Sequence, residues 1–101
     1  MEQTEQANLS SGTGRAESRF AVRVHVTLKP VVNDPQGLAV RDALHHLGYG
    51  VVDAVRVGKV IDLEVRAADA ATAEVLAVEM ARRLLANPVI EQFDLEEARP
   101  L

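Results

Sequence analysis

The side chains that could perform catalysis are few in this sequence and are poorly placed to act together. All three serines, Ser10, Ser11 and Ser18, lie in or beside a polar N-terminal stretch, where nothing could hold a nucleophile against a base and an oxyanion site. The chain has no cysteine, so a thiolate nucleophile, a zinc–cysteine site and a disulfide framework are all excluded. We therefore predict no catalytic residue in this chain.

The histidines and carboxylates do not form a metal-binding or acid–base pattern. His45 and His46 are adjacent and would point about 100° apart on a helix, whereas imidazoles at i and i+4 can face one metal ion. His25 is isolated, and an acid–base pair of Asp53 with Asp62 or Glu64 would need geometry that the sequence does not supply. We predict no metal site and interpret the carboxylates as surface charge.

Patterns for binding phosphates, nucleic acids or membranes are also missing. The glycines at positions 37, 48, 50 and 58 match neither GxGxxG nor GxxxxGK[ST], which leaves them as turn residues. The formal charge of −4 supplies no basic field, and 3% aromatic residues leave few rings on which bases could stack. No apolar run approaches the roughly 20 residues of a membrane span. We expect a cytoplasmic protein with neither a nucleic-acid nor a membrane partner.

The first half of the chain predicts a tail, a strand, a helix and a hairpin. Residues 1–17 are polar and rich in Gly, Ser, Thr and Gln, which predicts a flexible tail. Apolar residues alternate with mostly polar ones over 20–28, as in a half-buried strand. Asp34 can cap a helix with Pro35 in its first turn, extending to Leu47 and closed by Gly48. The valine-rich stretch 51–57, a Gly58-Lys59 turn and the alternation over 61–65 predict the hairpin.

The second half predicts one more helix and one more strand. Asp69 can cap a helix that ends before Asn87-Pro88, with one apolar face formed by Ala73, Leu76, Ala77, Met80 and Leu84. A strand over about 89–95 follows, and residues 98–101 are expected to be a loose C-terminus. This order predicts a single α+β domain over 18–97 with the ferredoxin-like split βαβ arrangement βαββαβ, a four-stranded antiparallel sheet with two helices on one face.

The small size of this domain favours self-association. A core of roughly 84 residues is near the size at which one hydrophobic centre supplies only about 3 to 5 kcal/mol. Small domains that lack disulfides and metals often gain further stability by association. We therefore expect a homodimer or a higher homo-oligomer.

Three stretches are more specific than any chemical signal, and together they resemble the PurS family. They are Asp34-Pro35-Gln36-Gly37, with the Ala39-Val40 and Ala43-Leu44 pairs after it, then Val55-Arg56-Val57-Gly58-Lys59, and then the run from Leu84 to Glu91. PurS is the small subunit of phosphoribosylformylglycinamidine synthase, a purine-pathway ligase, and the resemblance covers about residues 20–97. It implies a non-catalytic subunit whose dimer helps join PurQ, which releases ammonia from glutamine, to PurL, which uses ATP. ATP and glutamine are then used by the complex, and no cofactor is bound by this chain.

The residues of these stretches divide into two groups. Capping and turn geometry account for Asp34, Pro35, Gly37, Gly58, Asn87 and Pro88, which are expected to be structural. Neither geometry demands the side chains of Gln36, Arg56 and Lys59, which are the candidates for contact with a partner. The alternative is a small-molecule regulatory dimer of the ACT kind, which shares the strand order but not these local motifs.

Overall fold

The structure is a computed structural model that describes residues 17–101. The predicted tail, residues 1–17, lies outside the described residues except for Glu17. The chain from Ser18 onward forms four strands and two α-helices. Their bounds are β1, Ser18–Leu28; α1, Pro35–His46; β2, Gly58–Ala67; α2, Ala70–Met80; β3, Glu91–Leu95; and β4, Arg99–Pro100.

Strand β1 is the centre of an antiparallel sheet. It pairs with β2 on one side along almost its whole length, from Ser18 opposite Ala67 to Thr27 opposite Gly58. On its other side it pairs with β3 and then with the two-residue β4. The predicted α+β class with a four-stranded antiparallel sheet is confirmed.

The hydrophobic core lies between β1 and α2. The alternation predicted for β1 is confirmed, because Phe20, Val22, Val24 and Val26 are all buried. The facing helix contributes small alanines, listed here: Ala73, Ala77 and Ala81. Small side chains allow the helix to approach the sheet closely, and burial of each valine contributes about 1.5–3 kcal/mol.

The end of α2 departs from the predicted face. The helix continues from Met80 as a π-helical turn over Ala81–Leu85. The wider turn shifts the phase of the side chains that follow it, and Leu84 is 82% exposed. The prediction that Leu84 shares the buried face of Ala73 and Ala77 is therefore wrong.

Helix α1 is built as its sequence indicates. Asp34 accepts a hydrogen bond from the Gly37 amide, Pro35 lies in the first turn, and Leu47 is the C-cap. Gly48 has φ of 100°, and the amides of Gly48 and Tyr49 donate to the carbonyls of His45 and Leu44, which is a Schellman motif. None of the side chains of α1 belongs to the buried core formed by residues 17–101.

The predicted hairpin is not formed within the chain. Residues 51–57 are not a strand, and Gly58 and Lys59 begin β2 instead of forming a turn. Lys59 lies opposite Val26 in the ladder with β1, so pairing with the central strand takes the place of the local turn. Residues 29–57, called the arm below, therefore connect β1 to β2.

The C-terminus is also ordered, in contrast to the expectation that residues 98–101 are loose. Ala98 is buried, and its amide donates to the Glu74 carboxylate at 2.8 Å. Arg99–Pro100 pairs with β1, and the Leu101 amide donates to the Arg19 carbonyl at 2.9 Å. The C-terminal residues therefore pair with the part of the β1 edge that β3, which ends at Leu95, does not reach.

Candidate functional site

The three sequence stretches that resemble PurS meet at one end of the sheet, around Lys29. The Lys29 amide donates to the Ile90 carbonyl at 2.8 Å, and its ammonium group donates to the Pro88 carbonyl at 2.8 Å. The Lys29 carbonyl accepts from Arg56 Nη2 at 3.0 Å. Lys29 thus links the second and third stretches, although no sequence pattern pointed to it beyond its place at the end of a strand.

Asp34 joins the first stretch to the second. Its Oδ1 accepts from the Gly37 amide at 2.9 Å, and its Oδ2 accepts from the Val57 amide at 2.8 Å. The residue is 4% exposed. The hydrogen bonds from Val57 and Gly37, with a smaller contribution from the Arg56 charge, hold the pKa of this carboxyl below its ordinary value. The sequence predicted the helix cap but not the hydrogen bond that Asp34 accepts from Val57, the residue before β2.

Arg56 is held at the base of the arm, where the first residues of the arm, 29–34, contact its last residues, 55–57. Its Nη2 donates to the carbonyls of Lys29 and Val32, both at 3.0 Å, and its Nε lies 4.0 Å from Asp34 Oδ2. Capping and turn geometry do not require this side chain, whereas its hydrogen bonds in the structure assign it contacts inside the chain. Its contact with a partner stays a prediction, which the remaining exposed part of the side chain permits.

Gly37 and Gly58 occupy positions where the backbone comes too close to a neighbour for a side chain. A Cβ on Gly37 would lie 2.3 Å from the Val55 carbonyl oxygen. A Cβ on Gly58 would lie 2.7 Å from the Val26 carbonyl oxygen. A side chain at either position would therefore clash with the backbone, which is a matter of close approach and not of a positive φ, and the structural role of both glycines stays a prediction.

The Asn87-Pro88 stretch forms a tight turn before β3. Asn87 Oδ1 accepts from the Val89 amide at 3.0 Å, and the Asn87 carbonyl accepts from the Glu91 amide at 2.7 Å. Glu91 Oε1 in return accepts from the Asn87 amide at 2.7 Å. Beyond ending a helix, this turn presents the Pro88 and Ile90 carbonyls that bind Lys29.

A cleft of about 240 Å³ opens where the stretches meet. Gln36 enters it from the first turn of α1 and Lys59 from the start of β2, so two of the three predicted interface residues are brought together. Glu91, which the sequence did not single out by itself, lies on the β3 side. The full lining is Val26, Leu28, Asp34, Gln36, Val57, Gly58, Lys59 and Glu91. A cation, an amide and a carboxylate beside an apolar floor suit a polar contact with another protein surface.

The outward face of the sheet carries two close pairs of basic and acidic side chains. Arg23 Nε donates to Asp62 Oδ1 at 2.7 Å, and this bond lowers the pKa of the Asp62 carboxyl. His25 Nε2 lies 2.7 Å from Glu96 Oε2. Within residues 17–101, no three histidine or acidic side chains are grouped as metal ligands, and no helix is long and apolar enough to cross a membrane.

Comparison with known proteins identifies the family. The protein-family model described as PurS: Phosphoribosylformylglycinamidine (FGAM) synthase matches residues 21–99. The chain belongs to the PurS family. Relatives from Synechocystis and Bacillus subtilis carry the name phosphoribosylformylglycinamidine synthase subunit PurS, which confirms the resemblance seen in the sequence. The family found is therefore not that of the ACT-like regulatory domains, which was the alternative prediction.

Relatives match over most of their length. The chain is 49% identical to PurS from Synechocystis over 77 residues, which is 76% of this chain and 77% of that one. It is 46% identical to PurS from Bacillus subtilis over 77 residues, covering 76% of this chain and 90% of the relative. The solved structure of PurLQS from Thermotoga maritima contains a chain that matches with a TM-score of 0.72 at 30% identity, covering 82% of this chain and 98% of that chain.

Proposed function

We propose that this chain acts as a non-catalytic subunit that joins a PurQ-type glutaminase to a PurL-type synthetase in phosphoribosylformylglycinamidine synthase. The PurS family membership supports the proposal, as does the likeness to a chain of the PurLQS structure. The complex uses ATP and glutamine, and this chain binds no cofactor of its own. We place the complex in the cytoplasm, with this subunit present as a homo-oligomer.

The value of such a subunit is positional. Ammonia released from glutamine is lost by diffusion or by protonation unless it reaches the activated intermediate quickly. Holding the two active sites in a fixed relation converts an encounter in solution into a local transfer, which can raise the rate without any bond chemistry in the linking subunit. A chain without a catalytic set is suited to this role.

The cleft at the end of the sheet is the proposed contact surface for one of these partners. The observation that carries this assignment is that residues from all three family-like stretches line it. Gln36 and Lys59 are exposed there, whereas Asp34 and Arg56 hold the base of the arm that shapes it. Removal of one partner of a charged contact buried at an interface costs about 2–5 kcal/mol of binding.

The test compares Gln36→Ala and Lys59→Ala with two control variants in the complex reconstituted with PurL and PurQ. Gln92→Ala and Arg83→Ala remove an exposed amide and an exposed cation outside the cleft. We expect the cleft variants to lower glutamine-dependent synthesis at least tenfold relative to the controls, while ammonia-dependent synthesis and melting temperature stay unchanged. Cleft variants that match the controls in glutamine-dependent synthesis would show that the contact lies elsewhere.

A further inference from the structure

The outer edge of β3 presents backbone groups that have no strand partner. The Glu96 amide donates to the Arg23 carbonyl at 2.9 Å, in register with the ladder between β3 and β1. Hydrogen-bonded positions alternate along an antiparallel pair, so the backbone groups of Phe93 and Leu95 point away from β1. No strand within residues 17–101 pairs with β3 on that side. The amides and carbonyls of these two residues can therefore bond to an added strand.

A groove lies beside this edge, between β3 and the π-helical turn that follows α2. It has a volume of about 290 Å³, and its floor consists of apolar side chains from Ala86, Pro88 and Phe93. Ala86 is buried and Phe93 is half-buried against the core, so packing fixes the shape of the floor. The groove can therefore take an aliphatic side chain from a segment that runs along the edge of β3.

Arg82 supplies a positive charge on the helix side of the groove. The residue is exposed, and within the part of the chain that the structure describes no carboxylate lies at ion-pair distance from it. Glu91 also lines the groove, but its Oε1 accepts a hydrogen bond from the Asn87 amide at 2.7 Å. A guanidinium group binds carboxylates strongly and often through two hydrogen bonds. The groove thus offers a cation to an acid that residues 17–101 do not supply.

We propose that the outer edge of β3 and this groove together bind an extended acidic segment of a partner protein. The segment adds a strand to the sheet by pairing with Phe93 and Leu95, one of its apolar side chains enters the groove, and one of its carboxylates pairs with Arg82. In this mode of recognition the backbone bonds supply affinity, and the pockets for side chains supply specificity. The site is separate from the cleft described above, which shares with it one lining residue, Glu91, so the inference goes beyond the proposed function.

The geometry favours a strand over a helix as the occupant, and an acidic segment over a basic one. A helix bonds its own backbone groups, so it would cover Phe93 and Leu95 without pairing their amides and carbonyls, which is unfavourable. Strand β3 contains neither proline nor lysine, two residues that block such edges in natural sheets. A basic segment would be repelled by Arg82, whereas an acidic one is attracted to it. Charge complementarity therefore selects the acidic strand.

Amide hydrogen exchange of the full chain, followed by NMR, tests the strand addition. The probe is a hexapeptide of alternating valine and glutamate with blocked ends, and the comparison peptide carries lysine in place of glutamate. At about 90% saturation with the glutamate peptide, we expect exchange of the Phe93 and Leu95 amides to slow about tenfold, because only the unbound molecules exchange there. No slowing at β3, slowing at the edge of β2 in its place, or equal slowing by the lysine peptide would overturn the proposal.

A charge reversal tests the role of Arg82. Arg82→Glu is compared with Arg66→Glu, which changes an exposed arginine of β2 that also lacks a carboxylate at ion-pair distance within residues 17–101. We expect Arg82→Glu to weaken binding of the glutamate peptide at least tenfold and to strengthen binding of the lysine peptide, and Arg66→Glu to change neither.

A milder variant keeps this test decisive if the charge reversal unfolds the chain by circular dichroism. Arg82→Gln removes the charge alone, and we expect it to weaken binding of the glutamate peptide at least threefold. An unchanged preference between the two peptides in the folded Arg82 variants would overturn the assignment of this residue. Neither experiment uses PurL or PurQ, so the result is independent of the proposed function.

Discussion

Replacement of Gly37 by alanine tests how the base of the arm is built. The new Cβ would lie 2.3 Å from the Val55 carbonyl oxygen and 2.8 Å from Asp34 Oδ2, well inside van der Waals contact. Asp34 cannot move freely, because it accepts hydrogen bonds from the amides of Gly37 and Val57. The bond from Val57 also restrains the Val55 carbonyl, which lies two residues earlier on the same backbone. Strain of this kind costs about 1–3 kcal/mol. For a domain of this size, that corresponds to a melting temperature lower by roughly 5–20 °C.

The assay is thermal and urea unfolding followed by circular dichroism, with Gly50→Ala as the matched control. A Cβ on Gly50 would meet nothing within 4 Å, so the control should change stability by less than about 0.5 kcal/mol or raise it slightly. Gly48→Ala adds a second comparison, because φ of 100° strains alanine by about 1–2 kcal/mol without any contact. If Gly37→Ala unfolds at the same temperature as Gly50→Ala, the close packing at the arm base is refuted.

Three further predictions test other parts of the structure. Asp34 and Asp62 both have a folded-state pKa below the unfolded value. The stabilisation that they provide is therefore present above the unfolded pKa and is lost as pH falls through the folded pKa. An acid titration of the free energy of unfolding should be flatter for Asp34→Asn than for the parent chain, and an equal slope would contradict the bonds to Gly37 and Val57. Arg56→Ala should destabilise the fold by about 1–2 kcal/mol in urea unfolding, since it removes the hydrogen bonds from a half-exposed cation to the carbonyls of Lys29 and Val32, and a neutral result would make the side chain free for partner contact alone. Leu84→Ala should change stability by less than about 0.5 kcal/mol, whereas Ala77→Leu in the buried face should cost about 1–3 kcal/mol; the reverse ranking in thermal unfolding would deny the π-helical phase shift.

The parts of the fold that sequence could predict are those set by local periodicity. The alternation of β1 and the caps Asp34 and Asp69 specify their elements within a few residues, and all three are confirmed. The hairpin was wrong because a Gly58-Lys59 pair suits a turn equally well as it suits a strand packed against Val26. Leu84 was misplaced because regular helical spacing cannot foresee a π-helical turn.

The candidate site shows the same division between local and long-range information. The resemblance selected Gln36 and Lys59, which share a cleft, but nothing in their spacing says that 22 intervening positions of chain bring them together. The role of Lys29 consists of bonds to residues about 30 and 60 positions away, namely Arg56, Pro88 and Ile90. Contacts of that separation leave no periodic trace in the sequence, so they emerged only from the three-dimensional structure.

The most direct test of the account is reconstitution of synthesis from PurL and PurQ with and without this chain. The proposed role of the chain is positional, so its addition should raise glutamine-dependent synthesis while ammonia-dependent synthesis by PurL stays nearly constant. The purified chain alone should neither hydrolyse glutamine nor consume ATP. Equal stimulation of both reactions, or glutamine turnover by the chain alone with contaminating amidotransferase excluded, would contradict the account.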